Sequence, residues 1–507
     1  MSQLKKGALL SYLSIFLTNG IGLLLTPYII HKLGDSEYGL YTLIGSLIAY
    51  IGVLDFGLNN TIIRFVAKYR AQNDKTGEEN FLATSLLIYA AISALIVVAG
   101  IALYFNLDTL FPKLTPVEMS KAKLMFAILI FNLAFELPGG AFAAICSAYE
   151  QFVFPRALKI SEYVLRSVMV VALLWKGGDA LSIVVLDTIL NLLVIVISAY
   201  YVFRKLRVKI KLHVFEFPLV KTIFSYSVWI FVYAIVGQFQ WRFGQVVLGM
   251  LSGTTAVAIY GVGIMLGTYY GAFSAAISSV FLPRATKMTV HDASPAELTS
   301  MMIKIGRFSL LILLLILGGF FLFGQQFVFL WVGKTYSDSW IIAFTIMVSY
   351  TVPLVQTFAN SILEATNRFY FKSLTYIFFV VLGTGFGAYL VPAYGSLGLL
   401  FGSTLGWIIS QVVMNVYFER VLKLELGRFF KEVSTGIVPA FLFLLFLGYW
   451  LNFLPGANWF NLVLKIVLFV LLFAAIMYKF GLNAFERQTV LEFLPFYKKK
   501  KSIPPVD

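Results

Sequence analysis

One cysteine and three histidines in 507 residues leave little material for metal or redox chemistry. A lone thiol, Cys146, can form neither a disulfide nor a thiolate cluster within the chain. His31, His213 and His291 fall in separate connecting segments, far from the spacing of a metal site. Charge is scarce too: Asp, Glu, Lys and Arg make up 12% of the chain, against about 25% in soluble domains. Polar connecting segments on the outer side are short, the longest running from about residue 106 to 120, with no room for a catalytic domain. Gly333-Lys334-Thr335 ends like a phosphate-binding loop, but Val328 stands where the first glycine belongs and no strand precedes it. No metal, no cofactor and no enzymatic activity are expected.

What the chain has is apolar length. Sixty per cent of it is hydrophobic and its mean hydropathy is +0.87. Since about 20 apolar residues span a bilayer as a helix, the sequence predicts roughly fourteen spans. The first run, 8–30, is too long for a signal peptide and lacks a small-residue cleavage site, so it is expected to be a span. With the N-terminus inside, about 30 of the 39 basic residues fall on the cytoplasmic side. Both termini are therefore expected in the cytoplasm. The surplus of +15 is a topology signal, and no nucleic-acid partner is expected. Lys498 to Lys501 should rest on anionic membrane lipids.

The chain also repeats itself. Residues Gly34 to Tyr41 align with Gly253 to Tyr260 at an offset of 219, each joining a first helix to a second. Ile145, Ala148, Phe152 and Phe154 align with Ile362, Ala365, Phe369 and Phe371 at an offset of 217. Arg64 and Arg284 each follow the second helix of a half. Six spans per half is an even number, so the two halves share one orientation. The expected fold is an all-α polytopic membrane protein with two parallel six-helix lobes and two extra helices. Its parts are an N-lobe (1–205), a basic cytoplasmic linker (206–221), a C-lobe (222–420), a final pair (434–481) and a basic tail (482–507).

Two apolar runs carry polar stripes. Gln238, Arg242 and Gln245 lie in one, Gln356, Asn360 and Glu364 in the other, each set on one helical face. At membrane depth such residues turn inward and line a path for substrate or ion, so the pattern is that of a transporter interior. Arg242 reads either as an anion contact or as an interhelical salt bridge to Asp187 or Glu136. The amides read as cavity lining or as interhelical glue. Four carboxylates could exchange a coupling ion. Glu136 stands beside Pro138-Gly139-Gly140, Asp55 is one turn from Asn59, Asp187 is one turn from Asn191, and Glu364 ends its stripe. Each could instead lock two helices together. Glu162 and Arg166, spaced i, i+4, are expected to pair, and Arg64 and Lys465 to reach the interface.

Leu33-Gly34-Asp35-Ser36-Glu37-Tyr38-Gly39-Leu40-Tyr41, then Leu54-Asp55-Phe56-Gly57-Leu58-Asn59-Asn60 and Arg64-Phe65-Val66-Ala67, resembles the start of Wzx-type polysaccharide flippases of the multidrug/oligosaccharidyl-lipid/polysaccharide (MOP) exporter superfamily. The motif covers about the first 70 residues, while length, span count and the six-plus-six plan extend the resemblance along the chain. The resemblance implies a MATE/MOP-like fold in the bacterial inner membrane. It also implies a gradient-driven, alternating-access flippase for undecaprenyl-pyrophosphate-linked oligosaccharide, coupled to H⁺ or Na⁺, with a polysaccharide polymerase and other assembly proteins as partners. On that reading Arg242 grips phosphate or a sugar carboxylate. Gln238, Gln245, Gln356 and Asn360 bond sugar hydroxyls, and Tyr269 and Tyr270 stack on sugar rings. Ion-coupled drug or small-metabolite antiporters and lipid II flippases of the same superfamily are the alternatives. The final helix pair argues against the first, and the scarcity of basic residues in the first outer loop against the second.

Overall fold

In the computed structural model the described residues are 3–53, 58–215, 217–290, 293–366, 368–484 and 486–488; they are overwhelmingly helical, and no strand occurs among them. The first helices are α1 (Gln3–Leu33), α2 (Asp35–Gly52), α3 (Leu58–Ala71), α4 (Lys75–Leu110), α5 (Pro116–Ala148), α6 (Val153–Trp175) and α7 (Ala180–Tyr200). There follow α8 (Phe217–Trp241), α9 (Phe243–Leu251), α10 (Thr254–Val290), α11 (Pro295–Val332), α12 (Ser337–Val355), α13 (Thr357–Ala365) and α14 (Phe369–Arg420). The chain closes with α15 (Leu426–Ser434), α16 (Ile437–Tyr449) and α17 (Trp459–Ile476). Nine helical segments among the described residues are long and apolar enough to cross a membrane.

These segments do not map one to one on the fourteen apolar runs. Runs 373–391 and 396–418 lie in one element, α14, whose backbone leaves helical geometry at Gly395 (φ 57°, ψ −140°). Runs 222–250 and 340–363 are each interrupted, at Arg242 and at Gln356. Asp55, His291 and Lys498 to Lys501 lie outside the described residues, as does the Arg284 side chain.

Two compact units form, Met1–Leu266 with Phe369–Gln411, and Gly267–Arg368 with Val412–Asp507. In the first, α4 and α5 pack along their length around Phe81, Tyr89 and Phe126, all fully buried. Capping boxes start two of its helices: Thr115 with Glu118 at α5, and Asp179 with Ser182 at α7. The two arms of α14 fold against each other on a glycine seam. A Cβ at Gly387 would stand 2.7 Å from the Leu399 carbonyl oxygen, and one at Gly383 would stand 2.5 Å from that of Gly402. Only small residues allow backbones this close, the usual device for holding helices together in lipid.

In the second unit α11 is the spine, packed by α12, α15, α16 and α17. A Cβ at Gly318 would lie 2.7 Å from Phe441 and 3.0 Å from Phe469, so this glycine admits α16 and α17 to the α11 surface. Lys465, expected to reach the interface, is 5% exposed, and its ammonium donates to Gln326 Oε1 at 3.1 Å. Its place on the inner face of α17 overrides the length of its stem. Outer faces remain greasy, with Phe105, Val98, Leu442 and Phe446 all exposed, as a lipid-facing surface requires.

Candidate functional site

The repeated sequence segments bring the site together inside the first unit. Gly34 and Gly253, aligned by the repeat, both adopt positive φ, 79° and 88°, and each turns the chain into its next helix. Beyond them the two helix starts touch. Ser36 Oγ and Thr254 Oγ1 are 3.2 Å apart, and both donate to Glu118 Oε1, at 2.5 and 2.8 Å. A Cβ at Gly39 would collide with the Thr254 carbonyl, so glycine sets the approach of α2 to α10.

From this contact α2 runs along α8 and α9 and carries Tyr38, Tyr41, Ser46 and Tyr50. Ser46 Oγ donates to Gln245 Oε1, which is 3% exposed. Tyr50 donates to the Gln238 carbonyl at 3.1 Å and sets its ring edge-on against Phe239 and Phe243.

Between α8 and α9 the helix breaks at Arg242. The backbone there has φ −120° and ψ −29°, and the next turn is closed by Gln245 N–H to Arg242 C=O at 3.1 Å, a bond of i to i+3 type. Arg242 is exposed and forms no ion pair and no side-chain hydrogen bond among the described residues. It lies within electrostatic range of the hydroxyls of Tyr41 and Tyr38.

Tyr41 is held by a second cation. Arg166 on α6 grips Asp187 on α7 with two bonds, Nε to Oδ1 at 2.6 Å and an NH2 to Oδ2 at 2.8 Å, and the same NH2 donates to Tyr41 Oη at 3.1 Å. Asp187 therefore meets Arg166, and neither the Arg242 nor the Asn191 proximity read from sequence. Glu162, expected to pair with Arg166, is instead 3.1 Å from Lys159. Asn191 donates to Asn132 Oδ1 at 2.7 Å. Asp187 balances the charge of Arg166, whereas Arg242 has no carboxylate partner among the described residues. Chemically, Arg242 can receive an anion with its five N–H donors.

In the second unit the other stripe is built alike. Pro353 cannot donate to the carbonyl one turn back, and α12 ends two residues later. Gln356 then takes φ −92° and ψ 14°, and Ala359 N–H closes on its carbonyl at 2.9 Å, again i to i+3. Gln356 is 1% exposed, Asn360 half-buried and Glu364 exposed. Tyr270 is buried with its hydroxyl 2.7 Å from Thr351 Oγ1, and Tyr269 beside it is half-buried. Glu136 is exposed on α5. Tyr38, Tyr41, Tyr50 and Arg166 were not singled out as site residues from sequence. Nothing in one dimension joins residue 166 to residue 187 across two helices.

A family of proteins described as polysaccharide biosynthesis proteins matches residues 4–289, more than half of the chain. A candidate O-antigen transporter of Shigella flexneri is 21% identical over 401 residues, 78% of this chain and 92% of that protein. Among solved structures, the lipid II flippase MurJ in an inward closed conformation superposes with a TM-score of 0.69 at 17% identity, covering 93% of this chain and 99% of that one. An inward-facing multidrug resistance MATE family transporter of the MOP superfamily gives 0.63 at 16% identity, covering 83% and 95%. The family model covers more than half of the chain, so this helical, multi-pass chain belongs to the polysaccharide biosynthesis protein family, and its fold is that of these two solved transporters.

Proposed function

We propose that this chain carries undecaprenyl-pyrophosphate-linked oligosaccharide across the bacterial inner membrane, and that Arg242 is its anion contact. The observation that carries the reading is the state of Arg242: exposed, without a counter-ion among the described residues, at a helix break. A guanidinium held this way at membrane depth is costly unless it serves a passing anion. Interrupted helices are where transporters of several folds place substrate and ions. The diphosphate would bridge Arg242 and the Arg166–Tyr41 pair. Gln238, half-buried in the same unit, would meet the sugars, and the polyprenyl tail would stay in lipid. Gln245 and Gln356, both closely packed, would hold the two breaks in shape.

The lobes 1–205 and 222–420 would exchange access between the two leaflets, with both termini in the cytoplasm. A proton or Na⁺ gradient would drive the exchange through Glu136, Asp55 or Glu364, and the product would pass to a polymerase outside. Asp187 could join them only by releasing Arg166.

Membranes from cells with the wild type, without the chain and with Arg242→Ala give the test. An externally added glycan-cleaving enzyme reports how much lipid-linked oligosaccharide has reached the outer leaflet. Accumulation of inaccessible units both in the deletion and with a stably inserted Arg242→Ala supports the reading. Unchanged accessibility in the deletion removes the substrate, and normal export by Arg242→Ala removes the assigned residue.

A further inference from the structure

A cavity of 440 Å³ opens at the end of the first unit where α3 passes into α4, far along the chain from Arg242. Its walls come from three places in the sequence: the α3–α4 turn, the end of α5 and the segment just after α7. Three carboxylates line it and each is already engaged. Asp74 caps α4 by accepting from Gly77 N–H at 2.8 Å, Glu78 accepts from Tyr149 Oη at 2.5 Å, and Glu79 lies 2.9 Å from His213 Nε2. Three of its cations, Lys75, Arg207 and Lys209, have no ion pair and no side-chain hydrogen bond among the described residues. A fourth, Arg70, is fixed as part of the wall, stacked 3.7 Å from the Tyr149 ring centre and donating to the Ala148 carbonyl at 3.1 Å.

The backbone is bent to keep those cations there. Arg207 has φ 55° and Asn73, across the cavity, also has φ 55°. Asparagine tolerates that left-handed region, but arginine rarely enters it, and such conformations collect at ligand sites. Next to Arg207, Val208 is buried, which leaves Arg207 and Lys209 on either side of it at the cavity rim. Farther on, the same connector is strapped to α4: His213 N–H and Val214 N–H both donate to Asn80 Oδ1, at 2.9 and 3.0 Å.

We infer that this cavity is a binding site for a phosphate-bearing headgroup, separate from the Arg242 site and independent of what the protein transports. Its volume falls within the range of small-molecule sites, about 300–1,000 Å³, and far exceeds a bare ion. Lysine and arginine with no ion pair among the described residues, beside a fixed guanidinium and together one charge in excess of the three carboxylates, match the charge and the multiple acceptors of a phosphate. The phosphate comes from a membrane lipid or from a soluble ester. Occupancy would tie the α3–α4 turn to the connector leading into α8.

The full chain, purified and reconstituted in phosphatidylcholine nanodiscs doped with phosphatidylglycerol, gives the test. The readout is the ratio of the two lipids retained, by mass spectrometry, with and without millimolar inorganic phosphate. R207G combined with K209Q should lower phosphatidylglycerol retention about five-fold or more, the order set by removing basic residues from a headgroup contact. K32Q/K113Q/K334Q, which removes three exposed lysines that do not line the cavity, should leave it unchanged. Glycine accepts the φ of Arg207, so R207G relieves strain and its loss of binding cannot be put down to unfolding. Retention displaced by inorganic phosphate, or phosphate binding without lipid retention, assigns the soluble source; retention that phosphate does not displace assigns the lipid. If neither probe binds the wild type better than the R207G/K209Q variant, the inference is overturned.

Discussion

Two arginines of this apolar chain meet opposite fates. Arg242 in the first unit is exposed at a helix break and has no counter-ion among the described residues. Arg307 in the second is 6% exposed on α11 and spends every donor group on the protein. Its Nε and one NH2 grip Glu486 at 2.5 and 2.9 Å, its other nitrogen donates to the carbonyls of Glu432 and Thr435 at 2.7 and 2.9 Å, and the NH2 also reaches Gly481 C=O at 3.0 Å. Arg307 thus pins the segments that precede α16 and follow α17 to the spine. A guanidinium in an apolar chain is either fully paired and structural or left open for a ligand, and its hydrogen bonds tell which.

The strongest way to break this contrast is Arg307→Met. It leaves Glu486 buried without its cation, a change that costs about 3–5 kcal/mol, read as a drop in the unfolding midpoint of the purified protein. Replacing both partners with apolar residues should restore much of that loss. Gly39→Ala comes next: the new methyl meets a backbone carbonyl that cannot swing aside, at about 1–3 kcal/mol. An unchanged midpoint there would mean that α2 and α10 do not meet closely in the folded protein.

Asp187→Asn should cost about 1–2 kcal/mol, because a partly exposed Arg166 loses an ionic partner. The same change should tighten binding of inorganic pyrophosphate by placing a second open guanidinium near Arg242, measurable by calorimetry; weaker binding would separate the two arginines. Arg242→Ala should shift stability by no more than about 0.5 kcal/mol, as for other residues without partners, in contrast to Arg307.

A further effect concerns pH. Burial works against the charge of Asp179, but hydrogen bonds from Ser182 and the Lys121 ammonium outweigh it and hold this carboxyl below its ordinary value. A depressed carboxyl stabilises above its unfolded pKa, and that contribution fades as pH falls below about 4. Asp179→Asn should therefore remove at most about 1 kcal/mol at neutral pH and leave a flatter acid limb in a pH titration of the midpoint.

Each sequence stripe reads as one face of a continuous helix, and only the structure shows the interruptions at Arg242 and Gln356. Nor did the sequence locate the pairs. Arg166 was read with Glu162 because local spacing is all that one dimension offers, whereas the structure gives it Asp187, 21 residues away on the next helix. Arg307, at the edge of an apolar run, and Arg207, one of several cations in a basic connector, carried no local signal of these roles.

Apolar runs of bilayer length, the scarcity of charge and the repeated Gly34 and Gly253 turns determined by themselves that this is a helical membrane protein with duplicated beginnings. They suffice because lipid forces each span to satisfy its own backbone, a requirement local to the segment. Which cation is paired, which is left open and where a cavity forms was decided by tertiary structure alone. Those outcomes depend on which side chains from distant segments arrive within about 3 Å of one another, and only the packed chain fixes such distances.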